Sequence, residues 1–326
     1  VSRRQLLNVL LLVVLVLGSF WWVLREVNVD DIWQRVTSAS PLPTIIAVVV
    51  VIASHAVRAY RWRWLLPESP TLIPLRVLFS AVMSGYAWST IVPRSGELVR
   101  PFIVARRTQL PFSVSLMSVV IERTIDVVTL ILAMLLSGVL ARNVLLAMLP
   151  GATMQSLILT LIVPIVLLAL VVTMMAVSPL RHKLEFVVHV LKATQSLTGT
   201  QRWMNVLLAT VLMWFLYAVP LLLIADALNM GHPSSVAQAI LLLVIISVGV
   251  TIAPTPGALG LYHAFCSTAL TMLFDYSAAD GMAFAVLAWT VNYGSALIIG
   301  GLSFVWELRD GISLTDIRAL RRNVRL

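Results

Sequence analysis

Three charged residues, Glu122, Arg123 and Asp126, stand inside the otherwise apolar run from 113 to 139. On a helix Glu122 and Asp126 share a face, while Arg123 lies about 100° round from Glu122 and three residues before Asp126. Taken alone, the triplet carries a net charge of −1. A charge at that depth costs roughly 2.5–3.5 kcal/mol even on the lenient insertion scale, so its retention calls for a partner or a role. Two chemistries fit. One is an internal salt-bridge network that orients helices, with Arg94 or Arg100 as the extra cation. The other makes Arg123 and Arg100 phosphate ligands, because a guanidinium meets phosphate oxygens with paired donors and sheds water more readily than an ammonium. Glu97, just after Gly96, suits capping or pairing. A histidine with its ordinary pKa could relay protons from position 263, although a lone histidine near an apolar helix is more often simply hydrogen-bonded. His55 stands alone in its run.

The elements that must position these groups include two interrupted helices. Thr90-Ile91-Val92-Pro93-Arg94-Ser95-Gly96-Glu97-Leu98 aligns with Thr251-Ile252-Ala253-Pro254-Thr255-Pro256-Gly257-Ala258-Leu259, with five identities in nine at an offset of 161. The same offset carries the start of one long run, 43, onto 204, and the end of another, 139, onto 300. Each unit then reads as span, broken hairpin, span, over about 43–139 and 204–305. Proline removes a helix donor and glycine loosens the backbone, which frees main-chain groups within the membrane. Such breaks persist where they pack against neighbouring helices or line a wet cavity. In the cavity reading they meet at a site where free N–H groups and helix N-termini favour anions. The candidate substrate-binding residues are therefore Pro93, Arg94, Gly96, Glu97, Arg100, Glu122, Arg123, Asp126, Pro254, Pro256, Gly257, Gly260 and His263.

Composition supports a membrane setting. The chain has 326 residues, 60% hydrophobic and 11% charged, against roughly 25% charged in soluble domains. Its mean hydropathy is +0.98. Full-length apolar runs lie at about 6–24, 43–64, 113–139, 154–177, 204–226 and 281–305, and the broken regions at 76–107 and 236–274. The expected fold is an all-α polytopic membrane protein, with six full spans plus two re-entrant broken-helix hairpins in an inverted repeat. No polar stretch is long enough for a soluble domain, so residues 1–326 read as one integral membrane domain. The first run ends in Phe20-Trp21-Trp22 and Arg25 rather than a small-residue cleavage site, and reads as a retained helix.

The net charge of +9 resides mostly in arginine clusters flanking apolar runs, which read as topology determinants rather than nucleic-acid contacts. Arg58, Arg61, Arg63 and Arg76 place one loop inside. The acidic balance of 25–40 places another outside, as do Asp275 and Asp280, with no basic residue nearby. Arg94, Arg100, Arg106 and Arg107 stay inside if 76–107 enters and leaves on the cytoplasmic face. Both termini are then cytoplasmic, in the inner (plasma) membrane. The one cysteine, Cys266, excludes intramolecular disulfides and Cys-rich zinc sites.

At these residues the sequence resembles the flippase-like membrane family known as the lysylphosphatidylglycerol synthase transmembrane region. The resemblance rests on an Arg-Trp pair ending an early span (Arg61-Trp62 or Arg63-Trp64) and on Pro93-x-x-Gly96-Glu97-x-x-Arg100. It rests also on Glu122-Arg123-x-x-Asp126 and on Pro256-Gly257-Ala258-x-Gly260. It implies transfer of phospholipids or other lipid-linked anions between leaflets. The family commonly has a second Gly at Ala258 and Glu at His263.

The expected substrate is thus an anionic lipid, moved among membrane lipids, with no cofactor, no metal and no nucleic acid. An ion-coupled carrier of a small soluble anion and a scaffold holding a lipid-modifying enzyme are the alternatives. The chain carries no P-loop, no H-E-x-x-H and no G-x-S-x-G, so the expectation is a transporter rather than an enzyme.

Overall fold

The computed structural model describes residues 28–66, 73–108, 110–140, 199–231, 233, 235–252 and 255–310. The expected spans at 6–24 and 154–177, the surface stretch 178–202 up to residue 198, and Pro254 lie outside the described residues. All regular structure among the described residues is helical.

An amphipathic helix α1 (Val29–Thr37) comes first, its N-terminus capped by Asn28, whose side chain accepts from the Asp30 N–H. Helix α2 (Pro41–Leu65) starts behind Ser40 with proline in its first turn, where a missing N–H costs nothing. A broken pair follows, α3 (Leu75–Ile91) and α4 (Gly96–Arg107), and then α5 (Phe112–Leu140). In the second half α6 (Thr200–Ala227) leads to α7 (Val236–Ile252), a 3₁₀ turn (Pro256–Ala258) and α8 (Leu261–Phe274). A long final helix runs through α9 (Ala278–Trp289), a π turn (Thr290–Gly294) and α10 (Ser295–Arg309).

Among the described residues, four helical stretches are long and apolar enough to cross a membrane: Pro41–Leu65, Thr200–Ala227, Pro256–Phe274 and Ala278–Arg309. Helix α5 is also long enough, at 29 residues, but carries the charged triplet; α7 is a shorter apolar helix. At 1.5 Å per residue, a 25-residue helix such as α2 reaches about 37 Å, past the roughly 30 Å hydrocarbon core. This is a multi-pass helical membrane protein.

Helices α3 and α7 share both bounds at the offset of 161 that relates the two Pro-Gly segments. Their packing is exchanged between halves: α3 lies on α10 and α7 on α5, while α2 and α6 form the most extensive helix pair. Within a bilayer such contacts depend on close van der Waals fit more than on water exclusion. One apolar cluster surrounds Trp62, Leu65, Leu78 and Ile103 in the first half, and another surrounds Ile224, Leu242, Leu270 and Phe284 in the second.

Two sequence expectations need correcting. Asp280 does have a basic partner, because α1 brings Arg35 across to donate to it, with Ile32 buried against Met282 and Ala283. Pairing over 245 positions leaves no local signature. Arg58 and Arg61, counted above as loop charges, lie inside α2 and are buried against carboxylates of α5.

At the other end of the long helix, Arg107 donates from Nε to Glu307 Oε2 (2.8 Å) and from Nη2 to Asp310 Oδ2 (2.7 Å). Ser80 completes the group by donating to Glu307 Oε1 at 2.6 Å. This ties both arms of the first broken pair to α10.

Candidate functional site

The charged triplet of α5 meets α2 rather than standing alone. Arg58, on the α2 face turned to α5, donates from Nε to Glu122 Oε1 at 2.6 Å and from Nη2 to Asp126 Oδ2 at 2.8 Å. Its Nη1 reaches the hydroxyls of Tyr86 (2.6 Å) and Tyr217 (3.2 Å), so one guanidinium joins four helices. One turn on, Arg61 donates from Nη2 to Asp126 Oδ1 at 2.7 Å and from Nη1 to Thr210 at 3.3 Å. The three-residue spacing of the arginines matches the four-residue spacing of the acids across the helix pair.

Arg100 comes from α4. Its Nη2 donates to Glu122 Oε2 at 2.8 Å, and its guanidinium lies 4.6 Å from the ring centre of Trp62, whose indole donates to Ser118. Two glycines admit that side chain. A Cβ at Gly85 would stand 2.3 Å from Arg100 Cγ, and one at Gly96 would stand 2.1 Å from the Gly85 carbonyl oxygen. The break itself turns at Arg94, which takes a left-handed φ of 61°, a conformation costing a residue with a Cβ about 1–2 kcal/mol. The Gly96 N–H is satisfied by Ser89 Oγ at 3.0 Å.

The second break arrives beside the first. Gly257 has φ 57°, and a Cβ there would lie 2.9 Å from the Thr90 side chain of α3. Its carbonyl accepts from Trp289 Nε1 at 2.7 Å, and Thr255 Oγ1 donates to the Leu259 carbonyl. Trp289 stacks on Tyr293, which the π turn presents to the same space; π turns of this kind recur at functional sites.

Between the breaks lies a cavity of about 560 Å³. Of the residues singled out from sequence, Pro93, Arg94, Gly96, Glu97, Arg100, Arg123, Asp126 and Gly257 line it. Glu122 sits directly behind the wall, with its side chain 0% exposed. Pro256 opens the adjoining turn, and Gly260 precedes α8, with neither on the cavity wall. His263 does not line the cavity either; it is buried with its ring 5.7 Å from that of Trp289. Arg123 is the least enclosed member, its side chain 39% exposed, and its Nη2 lies 3.4 Å from Glu122 and 3.3 Å from Asp126.

Sequence reading missed Arg58, Arg61, Tyr86 and Tyr217. The usable signal was the pair of arginines three apart within an apolar run, facing acids four apart in another. The Arg-Trp motif gains a physical meaning here: Arg61 holds Asp126 and Trp62 underlies Arg100. The triplet, −1 on its own, is part of a larger charged group. With its partners it comprises Arg58, Arg61, Arg100 and Arg123 against Glu122 and Asp126, a net +2.

Such a chamber, walled by guanidiniums, carboxylates and two interrupted helices, defines a helical membrane protein with a charged cavity between its broken helices. Residues 9–300 match the family described as the lysylphosphatidylglycerol synthase TM region, and the chain belongs to that family. No curated protein matches it at a significant level.

Proposed function

We propose that the protein translocates a phospholipid or other anionic lipid-linked headgroup between leaflets, by way of the cavity between its two broken helices. The observation that carries this reading is the cavity itself, where Arg94 and Gly96 of one break face Gly257 of the other beside Arg58, Arg100 and Arg123. A headgroup needs polar cover only for itself, since its tails can stay in hydrocarbon. Membership of a family described as the transmembrane region of a lipid synthase supports a lipid substrate.

In this reading six spans and two re-entrant hairpins form an inverted repeat, with units about 43–139 and 204–305. The shared bounds of α3 and α7 and their exchanged packing support it. The protein acts as a transporter rather than an enzyme, in the inner membrane, with both termini cytoplasmic. Guanidiniums stabilise the headgroup where lipid offers no polar partner.

Reconstitution tests it. Vesicles holding the purified protein should move a fluorescent anionic phospholipid between leaflets faster than protein-free vesicles. Uptake of a soluble anion with no lipid movement would overturn the reading.

A further inference from the structure

The cluster's excess charge specifies more than an anion. Four guanidiniums share two carboxylates, and at the rim Arg94 and Glu97 cancel, so among the described residues the fixed charge facing the cavity is +2. The second half offers no balance. At the offset of 161, Arg58, Arg100, Glu122 and Asp126 correspond to Val219, Leu261, Ala283 and Leu287. Unmatched charge inside a membrane protein is unfavourable unless a counter-charge enters.

Hydrogen bonding agrees with the charge. The Nε–H groups of Arg61, Arg100 and Arg123 are buried with no acceptor among the described residues, and Arg100 and Arg123 line the cavity. Donors are oversupplied where the charge is oversupplied.

We propose that the cavity takes a dianionic phosphate monoester in preference to a phosphodiester. A phosphodiester brings one negative charge and leaves the cluster at +1. A monoester carries about −1.5 to −2 near neutrality, with a second pKa of about 6 and three acceptor oxygens, which matches both charge and donors. The lipid form of this ligand rests on the translocation reading; the charge preference does not.

Binding to the purified full chain in detergent would be compared for glycerol 3-phosphate and glycerophosphoglycerol, then for dioctanoyl phosphatidic acid and dioctanoyl phosphatidylglycerol. At about pH 8 the monoester should bind at least about tenfold tighter within each pair. Lowering the pH to about 5.5 should erase most of that advantage as the phosphate gains its second proton. The diester curve controls for any effect of pH on the protein itself, whose titratable groups against these arginines are Glu97, Glu122, Asp126, His55, Tyr86 and Tyr217. Arg123→Gln should lower the excess to +1 and shrink the preference, while Glu122 keeps Arg58 and Arg100. Tight monoester binding only in the lipid pair identifies a lipid headgroup as the source; equal preference in both pairs shows that the phosphate ester alone suffices. Equal affinity for monoester and diester at about pH 8, or no binding of either, overturns the proposal. Transfer of phosphatidylglycerol across vesicles in that case would leave translocation standing, whereas monoester binding without any lipid transfer would remove translocation and leave the site.

Discussion

Arg58 and Glu122, 64 positions apart, are joined by a 2.6 Å hydrogen bond at a point where both side chains are all but removed from solvent. The contact fixes α2 against α5, and Nη1 of Arg58 fixes α3 and α6 to the same point. Removing one partner of a buried ion pair leaves the other uncompensated. Arg58→Met should therefore lower stability by about 3 kcal/mol, the lower end of the roughly 3–5 kcal/mol that breaking a buried pair costs, because Glu122 keeps Arg61 and Arg100. Thermal unfolding in detergent of the single and double variants with Glu122→Gln checks this. The two losses should fail to add by roughly 0.5–3 kcal/mol, and strict additivity would show that the pair is not coupled.

Close approach at the first break makes a graded prediction. Gly96→Ala meets the backbone oxygen of Gly85, whereas Gly85→Ala meets the flexible stem of Arg100. Overpacking of this kind costs about 1–3 kcal/mol, and Gly96→Ala should lie at the upper end. Gly301→Ala, with nothing within 4 Å of the added carbon, should be near neutral. Melting temperatures ranked in any other order would contradict the hairpin geometry.

Arg123 separates charge from geometry. Its contacts to Glu122 and Asp126 are long, and its side chain is 39% exposed, so Arg123→Lys should fold in normal yield. If its planar fork grips phosphate, lipid transfer per folded molecule should fall several-fold, because lysine supplies the charge without the fork. Normal transfer at normal yield would return Arg123 to scaffolding.

Asp310, one position past α10, gives a pH test. The Arg107 hydrogen bond holds its carboxyl below the usual range, against a weaker opposing effect of desolvation. A depressed folded pKa contributes stability above the unfolded value, lost as pH falls through the folded one. The melting-temperature difference between wild type and Asp310→Asn should be present at neutral pH and shrink steadily on acidification below about pH 4. A difference unchanged down to about pH 2 would exclude the Arg107 contact as its source.

Orientation is tested by cysteine accessibility on a Cys266→Ala background. Asp30→Cys and Ala278→Cys should label from outside, and Thr108→Cys only from inside. Outside labelling at Thr108 would contradict the first hairpin.

The interrupted helices were legible in the sequence because proline and glycine act locally. Pro93 and Gly96 stand at the α3–α4 break, and Pro256 and Gly257 form the turn before α8. The charged triplet was legible because charge within an apolar run is conspicuous. Its partners were not, since Arg58 and Arg61 near a span end look like interfacial charges until α2 is set against α5. His263 drew notice as a titratable side chain, yet its helix turns it onto Trp289 rather than into the cavity. Neither the α1–Asp280 contact nor the Arg107–Glu307 contact has a local pattern, because each joins helix ends 200 or more positions apart.

The central claim, passage of a lipid headgroup through the cavity, is tested most directly by blocking it. Thr90 and Thr251 line the cavity on opposite broken helices, α3 and α7. Cysteine at either position, on the Cys266→Ala background, can be loaded with a bulky thiol reagent through a reducible bond. The account predicts that lipid transfer in vesicles stops on loading and returns on reduction. Undiminished transfer with both positions fully loaded would contradict it.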